Sequence, residues 1–252
     1  MIFDYNGFGI YYEEYGSGTP LILLHGNTSS GKMFEPIKPV MGRNRRLIIM
    51  DFLGCGRSQR LDKWPEDLWY EWSKQVVSLC GYLDLAKVDL IGTSGGAIAA
   101  INVALEKPDL VGALIADSFE GLKADPGLTS QIRDGRSSAK KIDGFRSYLQ
   151  SIHGDDWESV FDNDTDSVIR HAQNVVDFFH KPVSCLRSRL LLTGSAEDEM
   201  FPQNHYCELF SEICRQTPKA KAHIFEHGRH PAMMSNLNEF SALADSFFRE
   251  QR

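Results

Sequence analysis

Long apolar runs are missing from this chain of 252 residues. The longest aliphatic stretches, such as Leu21-Ile22-Leu23-Leu24, fall far short of the roughly 18 residues a helix needs to cross a bilayer, so no membrane partner is expected. Met1–Gly7 has neither a basic start nor an apolar stretch, and no cleaved secretory leader is expected. A basic excess is missing as well: 27 Lys and Arg stand against 34 Asp and Glu, a net charge of −7. Nucleic-acid phosphates must be met by clustered cations, so nucleic acid is excluded as a partner. The five cysteines, Cys55, Cys80, Cys185, Cys207 and Cys214, contain no C-x-x-C pair. A zinc knuckle needs paired thiolates at short spacing, and an odd set of free thiols points to a reducing, cytoplasmic setting.

What is present is ordinary for a globular domain: 42% apolar and 24% charged residues, in a length that holds one sizeable core. Short aliphatic runs alternate with longer helical stretches, the pattern of a mainly parallel α/β sheet of about eight strands with helices on both faces. Strands are predicted at Gly9–Tyr15, Pro20–Leu24, Leu47–Asp51, Val88–Ile91, Val111–Ala116, Arg189–Thr193 and Ala222–Glu226. The first alternates imperfectly and is expected at an antiparallel edge. Helices are predicted at Glu66–Leu83, at Ala97–Glu106 (stopped by Pro108) and at Asn238–Glu250, the last with Phe240, Leu243, Ala244 and Phe247 on one face. Between Leu122 and Pro182 no strand signal appears, and Val168-Ile169, Ala172, Val175-Val176 and Phe179 recur at helical spacing. The expected organisation is a core of residues 1–121 and 183–252 with a helical cap, 122–182, over the sheet's carboxyl edge, where open α/β sheets bind ligands.

The strongest chemical signal is Gly92-Thr93-Ser94-Gly95-Gly96, which follows the strand at Val88–Ile91 and precedes the small residues Ala97-Ile98-Ala99-Ala100. This is G-x-S-x-G in the strand–turn–helix setting it requires. A serine needs a base to take its proton and an acid to orient that base. His230, in Gly228-Arg229-His230-Pro231 after the last predicted strand, is the expected base, ahead of His227. The acid falls in Gly194-Ser195-Ala196-Glu197-Asp198-Glu199, where Asp198 is expected and Glu197 is the alternative, with Asp117 a distant third. The backbone N–H of Asn27, in Leu24-His25-Gly26-Asn27, joins that of Gly95 as the expected oxyanion hole.

With these motifs in this order, the chain resembles the α/β-hydrolases over essentially its whole length. The resemblance rests on His25-Gly26-Asn27, the turn Asp51–Ser58, the elbow Gly92–Gly96, the acid loop Asp198–Pro202 and the base loop Gly228–Pro231. It is nearest to the capped branch that holds esterases, enol-lactonases and C–C bond hydrolases. The resemblance implies a carboxylesterase-like serine hydrolase acting on a small-molecule acyl substrate through Ser94, His230 and Asp198, with no cofactor. A lactonase or C–C hydrolase on the same triad, or a ligand-binding receptor on a hydrolase scaffold, are the alternatives. One departure is noted: family acid loops place the acid three residues after the strand-end glycine, whereas Asp198 lies four after Gly194.

Other signals are weaker. Asp162-Asn163-Asp164-Thr165-Asp166 begins like a calcium loop, but its sixth position is Ser167 and its twelfth Gln173, so an N-cap cluster of acids is expected instead. His223, His227 and His230 are spread along and beyond a predicted strand, and no metal is expected there. Trp64, Trp69, Tyr70 and Trp72 are expected to be buried packing. Phe178, Phe179 and Trp157 suggest an apolar wall, and Glu120 is expected to be a solvated loop carboxylate.

Overall fold

The computed structural model describes residues 1–250. Eight strands form one sheet: β1 (Ile2–Tyr5), β2 (Phe8–Tyr15), β3 (Thr19–Leu24), β4 (Arg45–Met50), β5 (Val88–Thr93), β6 (Val111–Asp117), β7 (Arg189–Ser195) and β8 (Ala220–Phe225). Their spatial order is β1-β2-β4-β3-β5-β6-β7-β8. The pairs β1–β2 and β2–β4 are antiparallel, and every pair from β4 to β8 is parallel. The helices are α1 (Lys38–Met41), α2 (Leu68–Tyr82), α3 (Gly95–Glu106), α4 (Thr129–Ala139), α5 (Asp143–His153), α6 (Trp157–Asn174), α7 (His205–Gln216), α8 (Ala232–Ser235) and α9 (Leu237–Arg249). Among the described residues no helix is long and apolar enough to cross a membrane.

The aliphatic strands are buried on both faces, which is why they read as continuous apolar runs. Side chains alternate across the sheet, so Ile22, Leu24, Ile48, Met50, Leu90, Leu114 and Leu192 pack on one side with α2, α3 and α7. Leu21, Leu23, Leu47, Ile49, Ile91, Ile115 and Leu191 pack on the other with Phe34 and α9. Of the apolar face expected on α9, Phe240, Ala244 and Phe247 are buried, and Phe248 joins them. Helix α3 is built of small residues that let it lie close to the sheet, and it ends at Lys107 because the residue before Pro108 is driven out of the helical region.

Two expectations are corrected, and one helix was not foreseen. Phe8–Tyr15 is antiparallel but not the edge, because β1 lies outside it. The turn joining the two is Asn6-Gly7, both with positive φ (54° and 86°), a dipeptide suited to a tight hairpin. Helix α7 went unread from the sequence, although Tyr206, Leu209, Phe210 and Ile213 recur at helical spacing and are buried. The apolar pattern around Val168 belongs to a helix that starts at Trp157 and stops at Asn174, short of Phe179. Beyond its end the backbone is taken up in pairing: Lys123 bridges Asp177, Ala124 N–H donates to Val176 O at 2.8 Å, and Phe178 N–H to Leu122 O at 3.1 Å. The chain thus leaves β6 and returns towards β7 through two adjacent, hydrogen-bonded strands of backbone, with α4, α5 and α6 between them.

Ile115, in the middle of β6, has no exposed surface. Truncation there leaves a cavity in a packed sheet, so Ile115→Ala is expected to lower unfolding stability by about 2–5 kcal/mol. Urea titration should show a lower midpoint with an unchanged slope.

Candidate active site

The elbow is built by close backbone approach. Ser94 sits between β5 and α3 with φ 53° and ψ −126°, a conformation that L-residues adopt only when their surroundings force it. A Cβ on Gly92 would lie 2.1 Å from Gly96 O, and one on Gly96 would lie 2.2 Å from Leu24 O. Both positions are therefore closed to any side chain. The His25–Asn27 loop packs directly on the serine, since a Cβ on Gly26 would lie 2.8 Å from Ser94 Cβ and 3.4 Å from its Oγ. Behind Ser94, its own N–H donates to Asp117 O at 2.8 Å, and α3 directs its N-terminal amides at the serine.

The expected acid and base meet at the same carboxyl edge. His230 Nδ1 lies 2.9 Å from Asp198 Oδ2, and that oxygen also accepts from the Tyr206 hydroxyl at 2.6 Å. Asp198 Oδ1 accepts from Met200 N–H at 2.9 Å. Burial pushes the Asp198 carboxyl upward, but the hydrogen bond and charge of His230, with those from Tyr206 and Met200, outweigh it and hold the pKa below its ordinary value. Tyr206 is driven far up by burial and by Asp198, so it stays a donor. Glu197 is turned elsewhere: its carboxylate contacts His227 Nδ1 at 3.2 Å and the Gly228 N–H at 3.4 Å. Glu199 receives the His230 backbone N–H at 3.2 Å. The structure joins His230 to Asp198 but does not join Ser94 to His230, for Ser94 Oγ has no hydrogen-bond partner among the described residues.

A second layer holds these groups. Asp117, at the end of β6, is fully buried and accepts from Thr193 Oγ1 at 2.8 Å, Thr93 Oγ1 at 2.9 Å and Met233 N–H at 3.2 Å. Burial raises its pKa to about 6 despite those bonds. Ser118 Oγ accepts from Ala232 N–H at 2.8 Å, so the strand end next to Ser94 also grips the chain just after His230. His25 is buried: Phe52 N–H donates to its Nε2 at 3.1 Å, which leaves Nδ1–H to donate to Gly26 O at 2.8 Å. Burial is also the main reason its pKa is lowered. Asp51 accepts from Gly31 N–H at 2.7 Å and from Arg57 N–H and Nε at 2.8 and 2.9 Å, which closes the Asp51–Ser58 turn. Cys55 is packed there, its thiol pushed well up by burial.

Asn27 is gripped from two sides. Its Oδ1 accepts from Trp69 Nε1 at 3.0 Å, and its Nδ2 donates to Asp164 Oδ2 at 2.9 Å. Asp164 was expected in an N-cap cluster, but Asp162, Asp164 and Asp166 lie inside α6. Each instead meets a cation on or beside α4: Asp162 with Lys140, Asp164 with Arg136 and Asp166 with Arg133. Trp72 stacks on Phe52 at 4.2 Å as buried packing, whereas Trp69 reaches the site. Trp157 packs with Leu149, Ile152 and Phe161 in a small core of the helical segment, and so does not form a pocket wall; Phe178 packs edge-on against Trp69 at 4.9 Å. Glu120 is not a freely solvated carboxylate: burial raises its pKa to about 7, with Arg136 opposing. Sequence reasoning missed Tyr206, Ser118 and Asp164. Only Tyr206 carried a usable signal, the helical spacing of α7.

Comparison with known proteins agrees with this architecture. Residues 21–243 match the model of the alpha/beta hydrolase family, and the chain belongs to that family. It is 23% identical to a 2-hydroxy-6-oxo-6-phenylhexa-2,4-dienoate hydrolase of Comamonas testosteroni over 98% of this chain and 94% of that protein. It is 36% identical to a proline iminopeptidase of Lactobacillus crispatus (strain ST1), but over only 44% of this chain and 41% of that protein. The chain therefore spans less than half the length of that relative. Among solved structures, the enol-lactonase from Burkholderia xenovorans LB400 superposes with a TM-score of 0.78 at 14% identity, covering 99% of this chain and 100% of that one, a likeness of fold.

The raised pKa of Asp117 has a consequence for stability. A carboxyl whose folded pKa lies above its unfolded one stabilises the fold fully at low pH, and that contribution is lost as pH rises through about 6. Asp117→Asn stays neutral, so its unfolding free energy should gain on wild type between pH 4 and pH 7, by up to about 3 kcal/mol, and level off above, with the melting temperature rising relative to wild type over the same range. Melting curves across that range check it, and a constant difference would contradict the raised pKa.

Proposed function

We propose that this hydrolase cleaves a small carboxylic ester or related acyl compound through Ser94, His230 and Asp198. The single observation that carries the reading is the 2.9 Å His230–Asp198 pair, at the same sheet edge as the strained serine of the elbow. His230 Nε2 takes the proton of Ser94 Oγ as the oxygen attacks the substrate carbonyl. Asp198 holds Nδ1–H, which fixes the tautomer and balances the imidazolium that forms. The N–H groups of Asn27 and Gly95 receive the developing oxyanion. His230 then returns the proton to the leaving group, and water releases the acyl chain by the same route in reverse. No step calls for a cofactor or metal. The helical segment 122–182 serves as a cap over this edge, with the 1–121 and 183–252 parts as the core.

A second reading keeps the triad and changes the bond. One relative matched over nearly the whole chain is named a dienoate hydrolase, which favours C–C cleavage as the alternative substrate chemistry. A panel of p-nitrophenyl esters, lactones and vinylogous dienones separates the two by kcat/KM.

A fluorophosphonate probe should label Ser94 and no other residue of the folded protein. Ser94→Ala should abolish both labelling and turnover. Asp198→Asn, which keeps shape but presents the wrong hydrogen-bonding partner to Nδ1, should lower kcat by about 10³–10⁴. Labelling that survives Ser94→Ala contradicts the assignment of the nucleophile.

A further inference from the structure

Asp164 lies on α6, in the segment between β6 and β7, and has no exposed surface. It forms an ion pair with Arg136, on α4. Its other contacts cross to the core. Oδ2 accepts from Asn27 Nδ2 at 2.9 Å and from the Thr28 backbone N–H at 3.2 Å. The carbonyl of Thr28 faces His153 Nε2 at 3.4 Å, from the end of α5. His153 Nδ1 accepts from Gly56 N–H at 3.0 Å, so Nε2 carries the proton and is the donor to Thr28. Thr28 is thus held at its N–H by α6 and at its C=O by α5, in a left-handed conformation (φ 54°) that its side chain alone would disfavour. The Asn27 side chain is held between Trp69 of the core and Asp164 of the segment, over the Cα of Gly95.

The expected first oxyanion donor, the Asn27 N–H, belongs to the Gly26–Asn27 peptide, whose carbonyl is held by His25 Nδ1 at 2.8 Å. Asp164 grips Asn27 on the other side of its Cα, through the Asn27 side chain and through the N–H of the following Asn27–Thr28 peptide, and so fixes where that Cα, and the N–H attached to it, lies. A donor must be within a few tenths of an ångström of its position before the reaction begins. We infer that Asp164 is a positioning residue for the oxyanion hole. By this inference, α6 belongs to the machinery that stabilises the transition state. Arg136 completes the device. A lone carboxylate this near a forming oxyanion would oppose it, and the guanidinium cancels that field while keeping the acceptor in place. The inference rests on acyl transfer at Ser94 as proposed above.

The test is saturation kinetics of fluorophosphonate labelling at Ser94 on the full chain, which needs no knowledge of the natural substrate. Asp164→Ala and Asn27→Ala should each lower the limiting labelling rate by about 10- to 100-fold, with KI within about 3-fold of wild type. The losses should not multiply in the double variant, because both changes break the shared Asp164–Asn27 bond. Asn27→Ala leaves the Asp164–Arg136 pair intact, so it tests the same link should Asp164→Ala fail to fold. An unchanged limiting rate, a loss confined to KI, or losses that multiply in the double variant would overturn the inference. Wild-type protein that is not labelled at Ser94 would instead overturn the acyl-transfer reading.

Discussion

Three backbones meet at the elbow with no space for a side chain between them, and that contact governs the rest of the carboxyl edge. Gly92 against Gly96, and Gly96 against Leu24, bring β5, α3 and the end of β3 within touching distance. Ser94 is left at the tip in a strained conformation, and Gly26 is pressed onto it. Because β3, β5 and β6 are neighbours in the sheet, the His25–Asn27 loop, the serine and Asp117 arrive together. The strain, of order 1–3 kcal/mol for such a residue, is sustained by the packing of two sheet faces around it.

A chain of net charge −7 buries several of its acids here, and their partners differ in a way that divides their roles. Asp51 and Asp164 face guanidinium groups, Arg57 and Arg136, and both close loops. Asp198 faces an imidazole and a phenol. Asp117 faces only neutral donors, two threonine hydroxyls and a backbone amide, and burial pushes it up to about 6. Burial pushes the pKa of Asp51, Asp198 and Asp117 upward; at Asp51 and Asp198 a charged or imidazole partner and its hydrogen bonds outweigh it, and at Asp117 the hydrogen bonds do not.

The parts of this design that were legible in the sequence are those set by local sterics or by a short period. The elbow was readable because its glycines report a backbone that tolerates no Cβ, and the parallel strands because double-sided burial leaves unbroken aliphatic runs. The strand β1 was not, since four residues carry too little alternation, although Asn6-Gly7 marked its turn. The separation of Asp198 from Glu197 depended on where β7 ends: at Ser195 rather than Thr193, so the loop geometry could not be counted from Gly194. The contact between Asp164 and Asn27 spans 137 positions, and only the folded chain brings the two together. The acids of α6 were misread as a cap because their cationic partners lie on a different helix.

The paired backbone at Leu122–Ala124 and Val176–Phe178 gives the segment between β6 and β7 an entrance and an exit side by side. Closing such a neck costs an entropy that grows only slowly with the length it encloses, so evolution is free to lengthen, shorten or exchange what lies beyond it without disturbing the sheet. The carboxylate reaching from α6 to the Thr28 amide limits that freedom. A foreign segment grafted onto this neck brings its own pocket, but it must also bring an acceptor for that amide.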